Sequence, residues 1–346
     1  VAGTDPIGRR KEFVYDADSN LVEQVTAIVV EGDPRVDPNR EHRTIFNTYD
    51  TGGRLVKVRQ GDDGPVYTYG YDAKGRMVEL ADPTGLRQHT YDKSDRLTKV
   101  VRGGDVFEYA YDANGRLKSR TYPDGTEVSA SYDEGDRPTG LTAAKGGQSA
   151  HYAFGYDVAD QLVRTTYPES TGVVERRSYD RAGALSSIVS RRGDDVVAGY
   201  ELDRDQVGNP TRITRTRGGV AGQPQATEAT AYSYDAANRL TAACYAAQTC
   251  EGASGSRVEY TYDLVGNRLS QKQTDANGTA TTTYRYDAAY QLLSSTTRGT
   301  YAEDRAFEYD HEGNQTRAGS DTFSYNLDHT LKSATVGGRT TTYRYD

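Results

Sequence analysis

The chain has 346 residues, a formal net charge of −8 and a hydrophobic share of only 35%, with 28 Tyr and 36 Gly against 6 Phe, 1 Met and no Trp. Scattered Lys and Arg on an acidic chain exclude nucleic acid as a partner, because binding phosphate backbones needs clustered positive charge; no stretch approaches the roughly 18 apolar residues of a membrane span. The low apolar share excludes a large compact core. The tyrosines exclude plain disorder, since each ring buries area while its hydroxyl stays wet, and Tyr favours strands. A β-rich chain with a thin, aromatic-lined core is expected.

In chain order, residues 1–10 lack a signal-peptide pattern and a starting Met, which predicts an excerpt from a longer or processed protein. A Tyr-Asp pair first occurs at Tyr15-Asp16. Asp16-Ala17-Asp18-Ser19-Asn20 opens like a calcium loop, but Leu21 and Ala27 stand where an EF-hand needs Gly and Glu. The pair recurs at Tyr49, Tyr71, Tyr91, Tyr111 and Tyr132, in steps of 22, 20, 20 and 21 residues. It continues at Tyr156, Tyr179, Tyr234, Tyr262, Tyr286, Tyr309 and Tyr345, with degenerate copies expected at Leu202-Asp203 and Tyr325-Asn326. The long step from Leu202 to Tyr234 carries a Gly-rich insertion at 218–222 that reads as an extended loop. Self-similarity at this period predicts one continuous array over residues 1–346, about 14–15 repeats, some degenerate.

The clearest copy runs from Phe107 to Leu117. Phe107, Tyr109 and Tyr111 alternate and so share one strand face, where rings are expected to stack from repeat to repeat. Asp112 opens a turn whose N–H groups its carboxylate can accept, and Gly115 stands where the turn needs left-handed backbone. The equivalent positions hold Gly53, Gly75, Gly183 and Gly313, then Asp95, Asp136, Asp160 and Asn238, the residue types that tolerate that conformation. Tyr290 breaks the rule and predicts a local change of turn. Arg and an apolar residue follow: Arg54-Leu55, Arg76-Met77, Arg96-Leu97, Arg116-Leu117, Arg239-Leu240, Arg268-Leu269. The Arg either pairs with the turn's Asp or remains solvated edge charge. Spacings such as Leu97/Val100 and Leu185/Ile188 suggest a bulge or two partly covered faces. A second turn, as in Tyr122-Pro123-Asp124-Gly125-Thr126 and Asp82-Pro83-Thr84-Gly85, closes each two-stranded unit. No helical periodicity is present. The residues that carry the repeat are therefore Tyr71, Asp72, Gly75 and Arg76; Tyr111, Asp112, Gly115, Arg116 and Leu117; and Tyr234, Asp235 and Arg239.

Cys244 and Cys250 are the only cysteines. They are either a local disulfide clipping a loop or two free thiols; without nearby His they cannot fill a zinc shell. His42, His89, His151, His311 and His329 are dispersed. Asp203-Arg204-Asp205 with Gly208 fails as a calcium loop at Thr214. Neither a nucleophile elbow nor a phosphate-binding Gly loop is present. No catalytic, cofactor-binding or metal residue is expected, and no cofactor.

The motif Tyr-Asp-x-x-Gly-Arg-Leu, repeated about every 20 residues, resembles the YD repeat of bacterial Rhs and wall-associated proteins, the C component of Tc toxins and the shell of animal teneurins. The resemblance runs from Asp5-Pro6-Ile7-Gly8-Arg9 to Tyr345-Asp346. It implies an all-β fold, a repetitive antiparallel hairpin ribbon coiling into a spiral shell. In Rhs and Tc proteins that shell encloses a C-terminal toxin. Complete Rhs shells end in an Asp-Pro-x-Gly-rich plug with self-cleaving aspartates; here the sequence stops at Tyr343-Arg344-Tyr345-Asp346, so no such residues are carried over and a partial shell or open coil is expected. The resemblance implies a secreted or cell-surface bacterial protein. One reading is a non-catalytic shell segment that encapsulates a toxin domain of the same polypeptide. The alternative is an extracellular surface or filament protein that binds a cell-surface or glycan receptor. Open edges near Phe13-Val14-Tyr15 and Thr341-Thr342-Tyr343-Arg344-Tyr345 predict end-to-end self-association.

Overall fold

The computed structural model describes residues 2–4, 9–29, 44–61, 64–218, 225–310 and 312–345. These residues form 30 short strands and one 3-10 turn, Glu169–Thr171, which follows Pro168. Successive strands pair antiparallel in sequence order. Leu117–Thr121 lies between Asp105–Tyr111 and Glu127–Tyr132, and the alternation continues through Pro138–Lys145 and Gln148–Tyr156. The fold is all-β, an antiparallel sheet of repeating strands. Two compact units are distinguished: Val1–Val106 with Thr283–Thr297 and Glu303–Asp346, and Phe107–Thr282 with Arg298–Ala302.

The Tyr-Asp hairpins from Tyr49 to Tyr179 carry a bulge. Tyr111 pairs with Leu117 while Ala110 pairs with Ser119, so Lys118 is the extra residue. The same shift makes Thr98 and Ser186 extra residues. A bulge returns the chain to the same face after three residues instead of two. That accounts for the Leu97/Val100 and Leu185/Ile188 spacing.

The core differs from the expected one. Among the described residues, its buried apolar side chains are small: Val25, Ala229, Ala231, Ala243, Cys244, Val258, Ala280, Ala318 and Ala334. Most tyrosines are half-buried instead, since a single sheet layer covers a short side chain completely but a Tyr ring only in part. The expected stack of rings gives way to edge-on neighbours, Phe107 with Tyr122 at 6.1 Å and Tyr152 with Tyr167 at 5.8 Å. At Tyr71, Tyr91, Tyr132, Tyr156 and Tyr262 an arginine covers the ring.

At the N-terminal edge, Ala2–Thr4 pairs with Arg10–Glu12 of the strand Arg9–Tyr15, Ala2 opposite Glu12, so the edge expected to be open near Phe13-Val14-Tyr15 is covered as far as Glu12. At the other end Arg339–Thr342 pairs with Leu331–Val336, and Tyr343 N–H donates to the Lys332 carbonyl at 3.0 Å. Within the first unit, the buried Gln60 amide donates to Asp328 Oδ2 at 2.8 Å across 268 positions of sequence. Residues 5–8 and 219–222, His42, His311 and Asp346 lie outside the described residues.

Candidate functional site

The recurring chemical unit is the Tyr-Asp turn. At Asp72, Gly75 N–H donates to the Asp72 carbonyl and Asp72 N–H to the Arg76 carbonyl, both at 3.0 Å. Gly75 has φ +82°. The Asp72 carboxylate accepts the Lys74 and Arg76 N–H groups on Oδ1 at 2.9 and 3.0 Å, and Arg76 Nε on Oδ2 at 2.7 Å. The Arg76 guanidinium therefore pulls the Asp72 carboxyl below its ordinary value against a desolvation penalty. Asp112 is held the same way by Asn114, Arg116 N–H and Arg116 Nε at 3.0, 2.9 and 2.6 Å, with Gly115 at φ +86°. Asp235 follows with Ala237 and Arg239, and with Asn238 at φ +60°. A carboxylate engaged by three donors has little left to offer a cation. Among the described residues, no group of three or more His, Cys, Asp or Glu side chains is placed to hold a metal ion.

The same side chains also join one repeat to the next. Arg76 Nη1 donates to the Asp92 carbonyl at 3.2 Å and to Asp95 Oδ1 at 2.5 Å, and its guanidinium lies 4.9 Å from the Tyr91 ring centroid. The Tyr91 hydroxyl donates back to the Met77 carbonyl at 2.7 Å. Arg116 repeats this with the Asp133 carbonyl at 3.1 Å, Asp136 at 2.7 Å and the Tyr132 ring at 4.6 Å; Tyr132 donates to the Leu117 carbonyl at 2.9 Å. Arg239 reaches the Asp263 carbonyl and the Tyr262 ring, and Tyr262 donates to the Leu240 carbonyl. Tyr71 receives the same treatment from Arg54 and donates to the Leu55 carbonyl. Tyr71 pairs across the hairpin with Met77, Tyr111 with Leu117 and Tyr234 with Leu240; burial pushes the Tyr234 hydroxyl up. Arg thus pairs with Asp and also acts as a staple: it stacks on the next ring and orders a carbonyl that would otherwise face water.

A rule emerges that residue-by-residue reading missed. The side chain four places after one turn's Asp contacts the left-handed residue of the next turn. Arg76 meets Asp95, Arg116 meets Asp136, Arg137 meets Asp160, Asn209 meets Asn238 at 3.0 Å and Asn314 meets His329 at 3.1 Å. A non-Gly residue in this conformation costs about 1–2 kcal/mol, and in these five turns the contact offsets part of that cost. The signal lay in pairs of positions about 20 residues apart instead of within one motif.

Three local readings are corrected. Tyr290 does not change its turn: it takes φ +63° and donates its N–H to the Asp287 carbonyl at 3.1 Å, its exposed ring meeting no obstacle. The degenerate copy is Arg204-Asp205, not Leu202-Asp203. Asp205 N–H donates to the Asn209 carbonyl, and Gly208 has φ +95°. Arg204 ends the strand Asp195–Arg204 in the Tyr position and donates to the Leu185 carbonyl, as Tyr does elsewhere. The spacing Asp205 to Gly208 carried that signal. Arg268-Leu269 is one place out of register: Asn267 takes the Arg position, with its Nδ2 on Asp263 Oδ2 at 2.9 Å, and Arg268 pairs with Tyr262.

Cys244 and Cys250 are joined by a disulfide, with their Cα atoms 5.4 Å apart. The three motif copies and the disulfide occupy different turns, so the structure gathers no single centre from them.

Comparison with known proteins follows this geometry. The family model "Teneurin YD-shell" matches residues 85–172 and 169–346, and "RHS Repeat" matches residues 49–87. The double-stranded DNA deaminase toxin A of Burkholderia cenocepacia (strain H111) is 28% identical over 375 aligned positions, covering 91% of this chain and 23% of that protein. Teneurin-4 of Mus musculus is 27% identical over 233 positions, covering 60% of this chain and 8% of that protein. The chain therefore spans less than a quarter of these relatives. The crystal structure of TcdB2-TccC3-Cdc42 aligns over 96% of this chain and 21% of its own, with TM-score 0.56 and 14% identity. The Photorhabdus luminescens Tc holotoxin pore gives TM-score 0.52 and 14% identity over 96% of this chain and 20% of its own. At such identity the likeness is one of fold.

Proposed function

Because the chain belongs to the Teneurin YD-shell family, which matches 85–346, we propose that it is a non-catalytic wall segment of an Rhs-type shell that encloses a C-terminal toxin domain of the same polypeptide. One observation carries the proposal: where the motif is intact, the polar side chains of a Tyr-Asp turn bond within that turn and to the next, as at Arg116, Asp136 and Tyr132. A surface whose polar groups complete one another makes a wall. The likeness to a bacterial protein named as a toxin, over 91% of this chain, supports a toxin as the cargo. On this reading residues 1–346 are one continuous array of about 14–15 repeats, the motif residues are structural, and the protein works outside the producing cell or on its surface. The test is limited proteolysis of the full-length polypeptide. Its C-terminal domain should be protected when downstream of intact repeats and cleaved when produced alone. Equal cleavage in both forms overturns the proposal.

The match to teneurin-4 over 60% of the chain favours a second reading, a surface or filament protein whose open coil serves adhesion. Full-length protein bound to intact cells, with its C-terminal domain unprotected, is the outcome that selects it.

A further inference from the structure

We propose that the second unit carries a binding pocket for a small polyhydroxylated ligand of the monosaccharide class, walled by the disulfide-held strap at residues 246–256. This goes beyond the shell reading and does not depend on it. The strap leaves the strand Leu240–Tyr245 and folds back over its neighbours. Ala247 N–H donates to the Ala229 carbonyl at 3.1 Å, and Tyr245 N–H to the Ser256 carbonyl at 2.9 Å. The Cys244–Cys250 bridge anchors it to a side chain that is only 1% exposed. Beside it opens a cavity of about 370 Å³, within the roughly 300–1,000 Å³ of small-molecule sites. Its lining includes Asp203, Arg212 and Tyr232 from the sheet, and Gln248, Thr249 and Glu251 from the strap.

The lining selects the chemistry. Arg212 is held on two sides, by Asp203 Oδ2 at 2.5 Å and by Gln248 Oε1 at 2.6 Å, and each of the two Nη atoms that make these contacts carries a second N–H. A cation brings no acceptor for the guanidinium and is repelled by its charge. An anion brings acceptors but meets the carboxylates of Asp203 and Glu251. A hydroxyl-bearing ring brings both, accepting from Arg212 and donating to Glu251 and to the Thr249 oxygen, whose own proton goes to the Glu251 carbonyl at 3.4 Å. Tyr232 adds an aromatic side chain suited to the apolar face of a sugar. The disulfide holds Gln248 to Glu251 in place before binding, which lowers the entropy lost on association.

The test uses the oxidised 346-residue chain with the methyl glycosides of glucose, galactose, mannose and N-acetylglucosamine, read by saturation-transfer NMR and titration calorimetry. At least one should bind. Glu251→Gln and Arg212→Lys should each weaken binding about tenfold, the scale of one hydrogen bond, and Asp112→Asn, in a remote turn, should leave it unchanged. Glu251 is exposed on the strap, so that variant keeps its fold. A dithiol, itself oxidised to a disulfide as it converts Cys244–Cys250 to two thiols, should abolish binding. No binding by any of the four glycosides, or binding indifferent to Glu251→Gln and to the dithiol, overturns the proposal.

Discussion

Two stretches of the second unit use the same turn differently. From Tyr111 to Asp160 the motif is nearly intact: Arg116 and Arg137 each hold their own Asp, the following ring and the following left-handed Asp. From Tyr179 to Asn267 the arginines thin out. Ala184 stands in the Arg position, so Asp180 Oδ1 accepts only N–H groups, those of Ala182 and Ala184. The next repeat then places Arg204 in the Tyr position, where it supplies the bond to the Leu185 carbonyl. Asn209 and Asn238 replace an ion pair with an amide pair. The disulfide and the buried Ala229, Ala231, Ala243 and Val258 lie in this second stretch. What persists is the set of hydrogen-bonding tasks, while the residues that perform them change. The regular stretch is held by charges at its turns and the irregular one by a covalent clip over a small apolar floor.

The sharpest way to break this contrast is Cys250→Ser. Removing a clip across a sequence separation of 6 should cost about 2 kcal/mol in denaturant melts. Hydrogen exchange should rise in 226–262 and stay unchanged in 105–132; a uniform rise would mean that the clip is not local. Gly115→Ala comes next, at about 1 kcal/mol, because φ +86° is strained for any residue with a Cβ. Asn238→Gly, in the irregular stretch, should be close to neutral by the same melt.

Arg116→Ala should lower the melting temperature by roughly 2–4 °C, a modest effect for a partly exposed ion pair. Adding Asp136→Gly should recover part of that loss, since Asp136 then keeps its strained backbone without a partner. A strictly additive double variant would show that the contact does not offset the strain. The smallest effect is that of pH. The Asp50 and Asp72 carboxyls are depressed below their ordinary 3.8, chiefly by the Arg54 and Arg76 side chains. Their stabilisation is therefore complete above 3.8 and is lost as pH falls through the lower folded-state values. An acid titration by circular dichroism should stay flat from pH 7 to 5 and decline only below about 4. A decline already complete at pH 5 would assign acid sensitivity to other groups.

Strands, turns and bulges were legible because each follows from local rules: alternation at Phe107, Tyr109 and Tyr111, a carboxylate cap at Asp112, and left-handed backbone at Gly115. Even Asp95 and Asn238 announced their conformation through residue type. Two things were not legible. The Arg76–Asp95 and Asn209–Asn238 contacts depend on which turn neighbours which, and a motif scanned one copy at a time does not contain that information. The pocket beside residues 246–256 was equally hidden, because a strap without periodicity reveals nothing of the face it covers. Leu202-Asp203 was misassigned because Arg204 does Tyr's work with different chemistry and so does not mark its turn as a Tyr would.

The hydrogen bond from Gln60 to Asp328 sets a schedule for biosynthesis. Ribosomes add about 5–20 residues per second, so 268 positions separate the two side chains by something on the order of 10–50 s. For that interval the strands around Gln60 exist without the carboxylate that receives its amide. The second unit, drawn almost wholly from Phe107–Thr282, has all of that segment in hand before Asp328 is made. The Gln60 amide therefore meets its final partner only after the whole of Phe107–Thr282 has been synthesised.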